Sequence, residues 1–484
     1  MRWSVILVAV WVSALIFVGS AAAQGPRKGP PRSGPPPGAF NSCKNKQTGG
    51  GCSFRAPHGS IKGSCRTMPP GFVCVPGNLS GAGSGGRPNE GPGGSPGAGR
   101  AQGGPVGDID RPMSARRGPP GYTPRAPYQD AVQLTNKLAD TGQVTCFDNH
   151  STANCQSEGS SFYGQDAHYK SRPTAYRDNG DGTVSDQNTG LTWQKAHNKQ
   201  RLSHYDAKDD CKSLNLGGYS DWRLPTIKEL FSIADFSGAT THRYFLDSKK
   251  FDLAAPGEEV LEGDRFSTHH VAMMGQTWSE TTYTGDHLGR SGIEAAFFFN
   301  FLDGHLKQAP TLSGNHELFH RCVRGKEWGE NQFGNTGDGT VGDRLTGLLW
   351  QQEDDGKERN WQQSLGYCEN LSLAGRTDWR LPNIRELHTI IDYSRHNPAI
   401  DTDVFVQQDR TGWFWSSTTH GDSPRMASYI CFGKCISVDG RDVHGAGAQR
   451  SDPKTGSPSQ FESLGGQRDQ VRINNYARCV TDQK

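Results

Sequence analysis

Asp221–Leu230 reads DWRLPTIKEL, and this segment decides the fold because it returns almost unchanged as DWRLPNIREL at Asp378–Leu387. In both segments a Thr or Asn follows the proline and a Glu stands three residues later, which is the pattern of a capping box at the start of a helix. Ile227, Leu230 and Phe231 then recur at helical spacing and predict one buried stripe. The chain is therefore predicted to contain the same structural unit twice.

The repeat extends on both sides of this segment at a constant offset of 157 residues. The motif DGTV at Asp181–Val184 recurs at Asp338–Val341, and the motif TGL-x-W that ends at Trp193 recurs ending at Trp350. An offset that holds over several ordered motifs indicates a duplicated domain.

Each copy reads as short strands, two helices and further strands. Turn clusters such as Asn179–Gly182 separate short β runs, and Ser203 can cap a helix that runs through Leu214. Trp278 matches Trp415 at an offset of only 137, so the copies differ in loop length before that strand. This order of elements predicts fold class α+β. The strands predicted after the helices of the first copy are Thr277–Thr282, Ala295–Phe301 and Arg321–Val323.

The N-terminus has the three regions of a secretory signal: Arg2, an apolar run at Val5–Val18 and the triplet Ala21–Ala23. The run is shorter than the roughly 20 apolar residues that span a bilayer. We therefore expect cleavage after Ala23 rather than a membrane anchor. The mature protein is then expected to be secreted, periplasmic or on the cell surface, with no transmembrane span.

Composition and the repeat together divide the chain into six parts. Two Gly/Pro-rich stretches offer too few apolar side chains to offset the entropy of ordering, and folded sequence resumes after them with a short helical pattern at Ala131–Leu138. The predicted parts are a signal peptide (1–23), a Pro/Gly-rich basic linker (24–42), a small disulfide island (43–76), a Gly/Pro-rich disordered linker (77–127), a first module (128–325) and a second module (326–484).

Charge is distributed unevenly along the chain. Residues 24–127, which we call the basic arm, contain 14 Lys or Arg and three Asp or Glu, a net charge of +11, whereas residues 128–484 contain 37 basic and 47 acidic residues, a net charge of −10. Mobile cations with few acids near them attract polyanions by releasing counterions. The arm indicates either a polyanion-binding segment or a soluble spacer. In an exported protein we expect an anionic polysaccharide or glycosaminoglycan, and not nucleic acid, as its partner.

The 12 cysteines form an even set, and in an exported chain they favour disulfides over a zinc site. Cys211 and Cys322 recur as Cys368 and Cys479, so the simplest pairing joins the first helix to the last strand within each module. Closing a loop of this length stabilises a fold by about 4–5 kcal/mol in the chain-entropy model. The other cysteines are predicted to form a hairpin bridge (Cys146, Cys155), a local bridge in the second module (Cys431, Cys435) and two bridges of open connectivity in the island (Cys43, Cys52, Cys65, Cys74).

The ordered motifs DNGDGTV, TGLTW, DWRLPTIKEL, TWSE and RCV, with a Cys-bearing helix among them, resemble the domain at the C-terminus of collagen-like bacterial adhesins, the Lcl C-terminal domain family. The resemblance runs from Thr141 onward and implies tandem members of the family. It implies a surface or secreted binding role, with glycosaminoglycan-like polysaccharides as the ligand class. A more distant similarity to the C-type-lectin-like fold implies two disulfide-bonded lectin-like modules. The EPN, QPD and WND sugar-binding motifs of that fold are missing from the sequence, so no ligand-binding residue is carried over.

Asp178, Asp181 and Asp186 in the turn sequence DNGDGTVSD suggest a calcium loop, because Ca²⁺ prefers clustered oxygens. Their spacing differs from that of an EF-hand, and turn residues that bond their own backbone explain the same sequence. We predict turns and no metal or cofactor.

Each DWRLP segment contains a Trp and an Arg whose role can be structural or functional. Trp222 and Trp379 stand before a capped helix, so we predict that they support the core rather than stack on sugars. Arg223 and Arg380 are predicted to pair with buried carboxylates or carbonyl oxygens.

Residues suited to catalysis are few and are not repeated. His269, His270, Glu280 and Asp303 lie in a variable region of the first module without counterparts, and a phosphate-loop motif does not occur in the sequence. We therefore predict no catalytic residues. A redox or copper pair at Cys431 and Cys435 is the alternative to a local bridge.

The sequence thus favours an exported binding or adhesion protein. Residues 239–274 and 439–470 are the variable loops in which we expect any specificity to lie. One alternative is an oxidase of the formylglycine-generating type, or another enzyme on the same fold, and a further alternative is a structural component of an envelope or matrix.

Overall fold

The computed structural model describes two compact units, Met1–Gly97 and Ala98–Lys484. Predictions for the signal peptide, for most of the basic arm and for His269 and His270 fall outside the described residues. The described residues are 42–44, 46–47, 51–56, 59–68, 71–76, 122–123, 125–198, 200–238, 245–253, 275–311, 316–461 and 467–483.

The first unit contains an antiparallel three-stranded sheet made of β1 (Gly51–Ala56), β2 (Gly59–Met68) and β3 (Gly71–Pro76), in that order. A disulfide joins Cys43 to Cys65 with a Cα–Cα distance of 5.6 Å, and Cys52 is also disulfide-bonded. Cys43–Cys65 is thus one of the bridges whose connectivity the sequence left open.

The second unit consists mostly of short strands, with four α-helices and three short 3-10 helices (Asp166–His168, His287–Gly289 and Pro458–Gln460) among its described residues. Its elements are β4 (Val132–Gln133), β5 (Cys146–Phe147), β6 (Thr152–Ala153), β7 (Tyr169–Lys170), β8 (Tyr176–Asp178), β9 (Thr183–Asp186), β10 (Thr192–Gln194), α1 (His204–Ser213), α2 (Ile227–Ser232), β11 (Gln276–Thr282), β12 (Ala295–Asn300), β13 (His305–Pro310), β14 (Val323–Arg324), β15 (Phe333–Asn335), β16 (Thr340–Asp343), β17 (Leu348–Gln351), α3 (Trp361–Glu369), α4 (Ile384–Thr389), β18 (Trp413–Thr419), β19 (Met426–Cys431), β20 (Gln449–Pro453) and β21 (Val480–Asp482).

The two modules repeat the same arrangement of elements. Each has a four-stranded sheet, in the order β8-β9-β10-β14 in the first module and β15-β16-β17-β21 in the second. Both predicted capping boxes form, at Thr226 with Glu229 before α2 and at Asn383 with Glu386 before α4. The predicted disulfides Cys211–Cys322 and Cys368–Cys479 also form, each with a Cα–Cα distance of 5.4 Å.

The two modules contribute to a single six-stranded antiparallel sheet, in the order β11-β12-β13-β20-β19-β18. Three strands come from each module, and the pair Leu306–Gln449 joins β13 to β20. Because a sheet runs through both modules, residues on β13 and β20 are neighbours although they are far apart in sequence.

The strand register shows that an approximate two-fold axis passes through this joining pair. Trp278 and Trp415 are equivalent. The strand partners of Trp278 lead across β12 to Lys307 on β13, and those of Trp415 lead across β19 to Arg450 on β20. Lys307 and Arg450 are therefore equivalent. The residues one position before them form the joining pair, so this pair consists of two equivalent residues facing each other.

Helices α2 and α4 meet across the same axis. Phe231 and His388, which are 157 residues apart, stack on each other with ring centroids 3.8 Å apart. Lys228 donates to the last carbonyl oxygen of α4 at 2.9 Å, and its equivalent Arg385 donates to two carbonyl oxygens at the end of α2. Each cation thus satisfies backbone acceptors at the C-terminus of the other module's helix, where the helix dipole favours positive charge.

One hydrophobic core serves both modules. It includes Trp193 and Phe299 of the first module and Trp350, Trp379 and Trp415 of the second, all of them buried. A smaller cluster around the Cys211–Cys322 disulfide belongs to the first module alone. The shared core explains why residues from both modules fall in a single compact unit.

The expected helix at Ala131–Leu138 is wrong. Val132 and Gln133 form β4, which pairs in parallel with β7, and the backbone N–H groups of Leu134 and Lys137 donate to carbonyl oxygens of distant residues. These long-range hydrogen bonds replace the local bonds that a helix would need.

The segment 125–172 precedes the first module's repeated motifs, yet many of its polar contacts are with the second module. The Gln143 side chain bonds the backbone of Thr419, and the Tyr169 hydroxyl donates to Glu369 Oε1 at 2.7 Å. Asp482 accepts hydrogen bonds from Thr135 and Asn136. The segment therefore ties the first part of the folded chain to the second module.

Candidate binding site at the module seam

The aspartates of the DNGDGTVSD turn use their oxygens within their own turns. Asp178 accepts from the Gly180 N–H at 3.0 Å and pairs with Lys195 at 2.6 Å. Asp181 accepts from both the N–H and the hydroxyl of Thr183. This geometry supports the turn interpretation over a calcium loop.

The side chains of the DWRLP segments are structural, as predicted. Trp222 and Trp379 are buried, and their indole N–H groups donate to backbone carbonyl oxygens. Arg223 forms a two-point ion pair with Glu229, the glutamate of its capping box. Arg380 forms the same pair with Glu386 and a further ion pair with Asp482.

Other residues singled out by sequence are dispersed over the structure. Glu280 forms an ion pair with Lys208 at 2.9 Å. Cys431 and Cys435 are buried and form a disulfide with each other, as does the hairpin pair Cys146–Cys155. Asp303 alone lies in a larger cluster of polar groups.

This cluster lies where β13 meets β20, and we call it the seam cluster. Its residues are drawn from the hairpin β12–β13 of the first module and from three separate parts of the second. It consists of Asp303, His305, Lys307, His420, His444, Arg450 and Asp469.

The two acids of the seam cluster, Asp469 and Asp303, have lowered pKa values, but only Asp469 has close hydrogen-bonding side-chain partners. Arg450 bonds Asp469 through Nε at 3.1 Å and through a second guanidinium nitrogen, and His444 Nε2 lies 2.7 Å from the other oxygen of Asp469. Burial opposes the charge of this carboxyl, but Arg450 and His444 outweigh it and hold the pKa of Asp469 well below its usual range. Burial likewise opposes the charge of Asp303, and Lys307 and His305 lower its pKa.

The three histidines of the seam cluster are neutral at pH 7. Burial and the charge of Arg450 lower the pKa of His305 to about 4 and that of His444 to about 3, and burial lowers the pKa of His420 well below 6.5. His305 stacks on His420 with centroids 4.5 Å apart, and its Nε2 lies 3.0 Å from Ser451 Oγ. The imidazoles therefore serve as neutral hydrogen-bonding and stacking groups.

The two cations of the seam cluster keep unused donors. Lys307 Nζ donates no hydrogen bond to the described residues, and its nearest carboxylate oxygen, on Asp303, is 3.9 Å away. Arg450 Nη1 is buried without a partner among the described residues. The cluster can therefore offer N–H donors to an acceptor from outside.

Sequence reasoning identified Asp303 and missed the rest of the seam cluster. Lys307 and Arg450 are equivalent but lie 143 residues apart, so a search at the offset of 157 does not pair them. Residues 439–470, predicted to carry specificity, supply three of the missed residues: His444, Arg450 and Asp469. An alignment of the copies that allowed for loop lengths would have matched the two cations.

Metal sites find little support among the described residues. Three groups of side chains lie close enough together to share an ion, but each contains at least two cysteines. All of these cysteines are disulfide-bonded, so their sulfurs are not thiolate ligands. No helix within the described ranges is long and apolar enough to cross a membrane.

Comparison with known proteins gave one match. No curated protein and no solved structure matches the chain, so the lectin-like similarity stays a prediction. The family model for the Lcl C-terminal domain matches twice, at residues 182–324 and 339–449, which together make up about half of the chain. The chain therefore belongs to the Lcl C-terminal domain family and carries two members of it in tandem.

Proposed function

We propose that this protein is an exported, adhesin-like binding protein whose ligand is an anionic polysaccharide. Membership of the Lcl C-terminal domain family suggests an extracellular or adhesin-like protein, and the five described disulfides fit an oxidising compartment. The single observation that carries the ligand class is the basic arm of net charge +11 joined to an acidic body.

The arm and the modules have different roles in this proposal. The arm supplies electrostatic attraction that depends on salt and needs no pocket. The modules supply a rigid frame, because one sheet, one core and the two long disulfide-closed loops hold them together. Several weak charge contacts on one chain then add to each other as multivalent binding.

The test compares the mature chain with two variants that lose four positive charges each. Arg100, Arg111, Arg116 and Arg117 are changed to Gln in the arm variant, and the exposed Lys212, Lys249, Lys326 and Lys357 are changed to Gln in the control. Binding to immobilised polygalacturonate, with neutral dextran as reference, is measured over a range of NaCl concentrations.

We expect the arm variant to bind polygalacturonate roughly tenfold more weakly at low salt, with a shallower salt dependence. The control should bind within twofold of the wild type. Binding of the wild type to neither polysaccharide, or equal losses in both variants, would contradict the proposal.

A further inference from the structure

The approximate two-fold axis brings two equivalent cations together on one face of the six-stranded sheet. The joining pair is Leu306–Gln449, so Lys307 lies opposite Ala448 and Arg450 lies two residues further along β20. Diagonal neighbours of this kind on antiparallel strands lie about 7–8 Å apart at Cα, within reach of long side chains. Lys307 and Arg450 are therefore equivalent cationic residues of the two modules that lie close together.

The ammonium of Lys307 lacks a hydrogen-bonding acceptor among the described residues. Its side chain is 17% exposed, yet it makes no hydrogen bond to the described residues, and Asp303 is too distant to accept one. Burial and the charge of Arg450 lower the pKa of Lys307. An acceptor from outside can therefore bond this ammonium without displacing a hydrogen bond within the protein.

Arg450 adds a second donor at the same place. Its side chain is 10% exposed, and its Nη1 has no partner among the described residues, whereas Nε and Nη2 are occupied by Asp469. Asp303 and Asp469 each act on both cations and leave these donors without an acceptor. An oxyanion between the cations would accept the unused N–H groups and relieve the repulsion between two positive charges.

We propose that Lys307 and Arg450 bind a single oxyanionic group, a carboxylate or sulfate, at the module seam. The site deepens the proposed function, since acidic polysaccharides carry these groups, and it rests on that function only for the identity of the ligand. The Lys307 side chain is 17% exposed, whereas Arg450 Nη1 is buried, so the group would enter from the Lys307 side as the end or side group of a larger molecule or as a free ion.

The first test uses inorganic sulfate and the thermal unfolding of the mature chain. Sulfate stabilises proteins in general by exclusion from their surface, and this effect grows steadily with concentration. Binding at a site instead saturates, and at about ten times the dissociation constant it raises Tm by roughly 2 °C. Sodium chloride at matched ionic strength is the reference.

The variants are Lys307→Met, Lys307→Arg and, as the matched control, Lys249→Met at an exposed position. We expect a saturable rise in Tm for the wild type, for Lys307→Arg and for Lys249→Met, and its loss in Lys307→Met. A saturable rise that survives in Lys307→Met would overturn the proposal, and so would a wild type whose Tm rises only linearly with sulfate and which gives no heat of binding with glucuronate.

Calorimetric titration with glucuronate and with glucose shows whether the bound oxyanion is the carboxylate of a sugar acid or a sulfate group. Heat of binding from glucuronate that disappears in Lys307→Met indicates a sugar acid, and a response to sulfate alone indicates a sulfate group. Both results support the site, and a response to neither refutes it. Polygalacturonate binding that depends on the arm but not on Lys307 would leave the proposed function intact and refute only this site.

Discussion

The ion pairs Arg223–Glu229 and Arg380–Glu386 are equivalent in sequence but differ in exposure. Arg223 is 25% exposed, whereas Arg380 is 3% exposed, and both glutamates are fully buried. Removing one partner of a buried pair leaves an uncompensated charge, and this is costlier where water cannot reach it. The same substitution should therefore have unequal effects in the two modules.

We expect Glu386→Gln to lower the free energy of unfolding by about 3–5 kcal/mol and Glu229→Gln to lower it by clearly less. Chemical denaturation of each variant beside the wild type measures both changes. Gln keeps the shape and one acceptor, so the difference reports on charge. Equal losses in the two variants would show that exposure of the arginine does not matter here.

Asp166 should make stability depend on pH. Burial and the nearby Asp140 raise its pKa to about 8, while hydroxyls of Thr418 and Thr141 donate to it. A carboxyl with a raised pKa stays protonated when folded but ionises when unfolded. Its contribution therefore destabilises the fold progressively as pH rises from about 4 to about 8.

Asp166→Asn removes this titration and keeps one acceptor for the threonines. We expect the wild type to lose stability relative to the variant between pH 5 and pH 8, by at most about 1.4 kcal/mol per pH unit. Unfolding by urea at a series of pH values measures the difference. A difference that does not change with pH would contradict the raised pKa.

At the level of elements, the sequence predicted local patterns better than long-range strand pairing. The capping boxes at Thr226 and Asn383 are local patterns, and the structure forms both. Strand β13 was not predicted, because His305–Pro310 has no strong alternation and its position depends on pairing with β12 and β20. The candidate site was missed for the same reason, since Lys307 and Arg450 meet only through that long-range pairing.

Lys228 and Arg385 each bond carbonyl oxygens at the end of the other module's helix, and we expect them to contribute unequally to stability. Arg385 donates to two buried carbonyl oxygens of the other module, whereas Lys228 donates to one carbonyl there and to Asn331. We expect Arg385→Met to destabilise the protein by about 1–3 kcal/mol through unsatisfied buried acceptors. Lys228→Met is the matched comparison and should cost less, as measured by urea denaturation.

At the level of the whole molecule, the shared sheet and core predict that the modules unfold together. Trp193 and Trp350 belong to one core that both modules share, although a smaller cluster packs within the first module alone. Unfolding either module would open the shared core, which favours a single cooperative transition. A scanning calorimetry trace should show one transition for residues 125–483. Glu229→Gln and Glu386→Gln should shift this same transition, and two separable transitions would contradict the prediction.

The contacts of segment 125–172 with the second module also determine when this segment can reach its native position during synthesis. Asn136 and its acceptor Asp482 are separated by 346 residues. At about 5–20 residues per second, the ribosome needs roughly 20–70 s to make the intervening chain. Segment 125–172 is thus synthesised early but is among the last parts of this unit to form its native contacts. Until then it is exposed to proteases and to self-association.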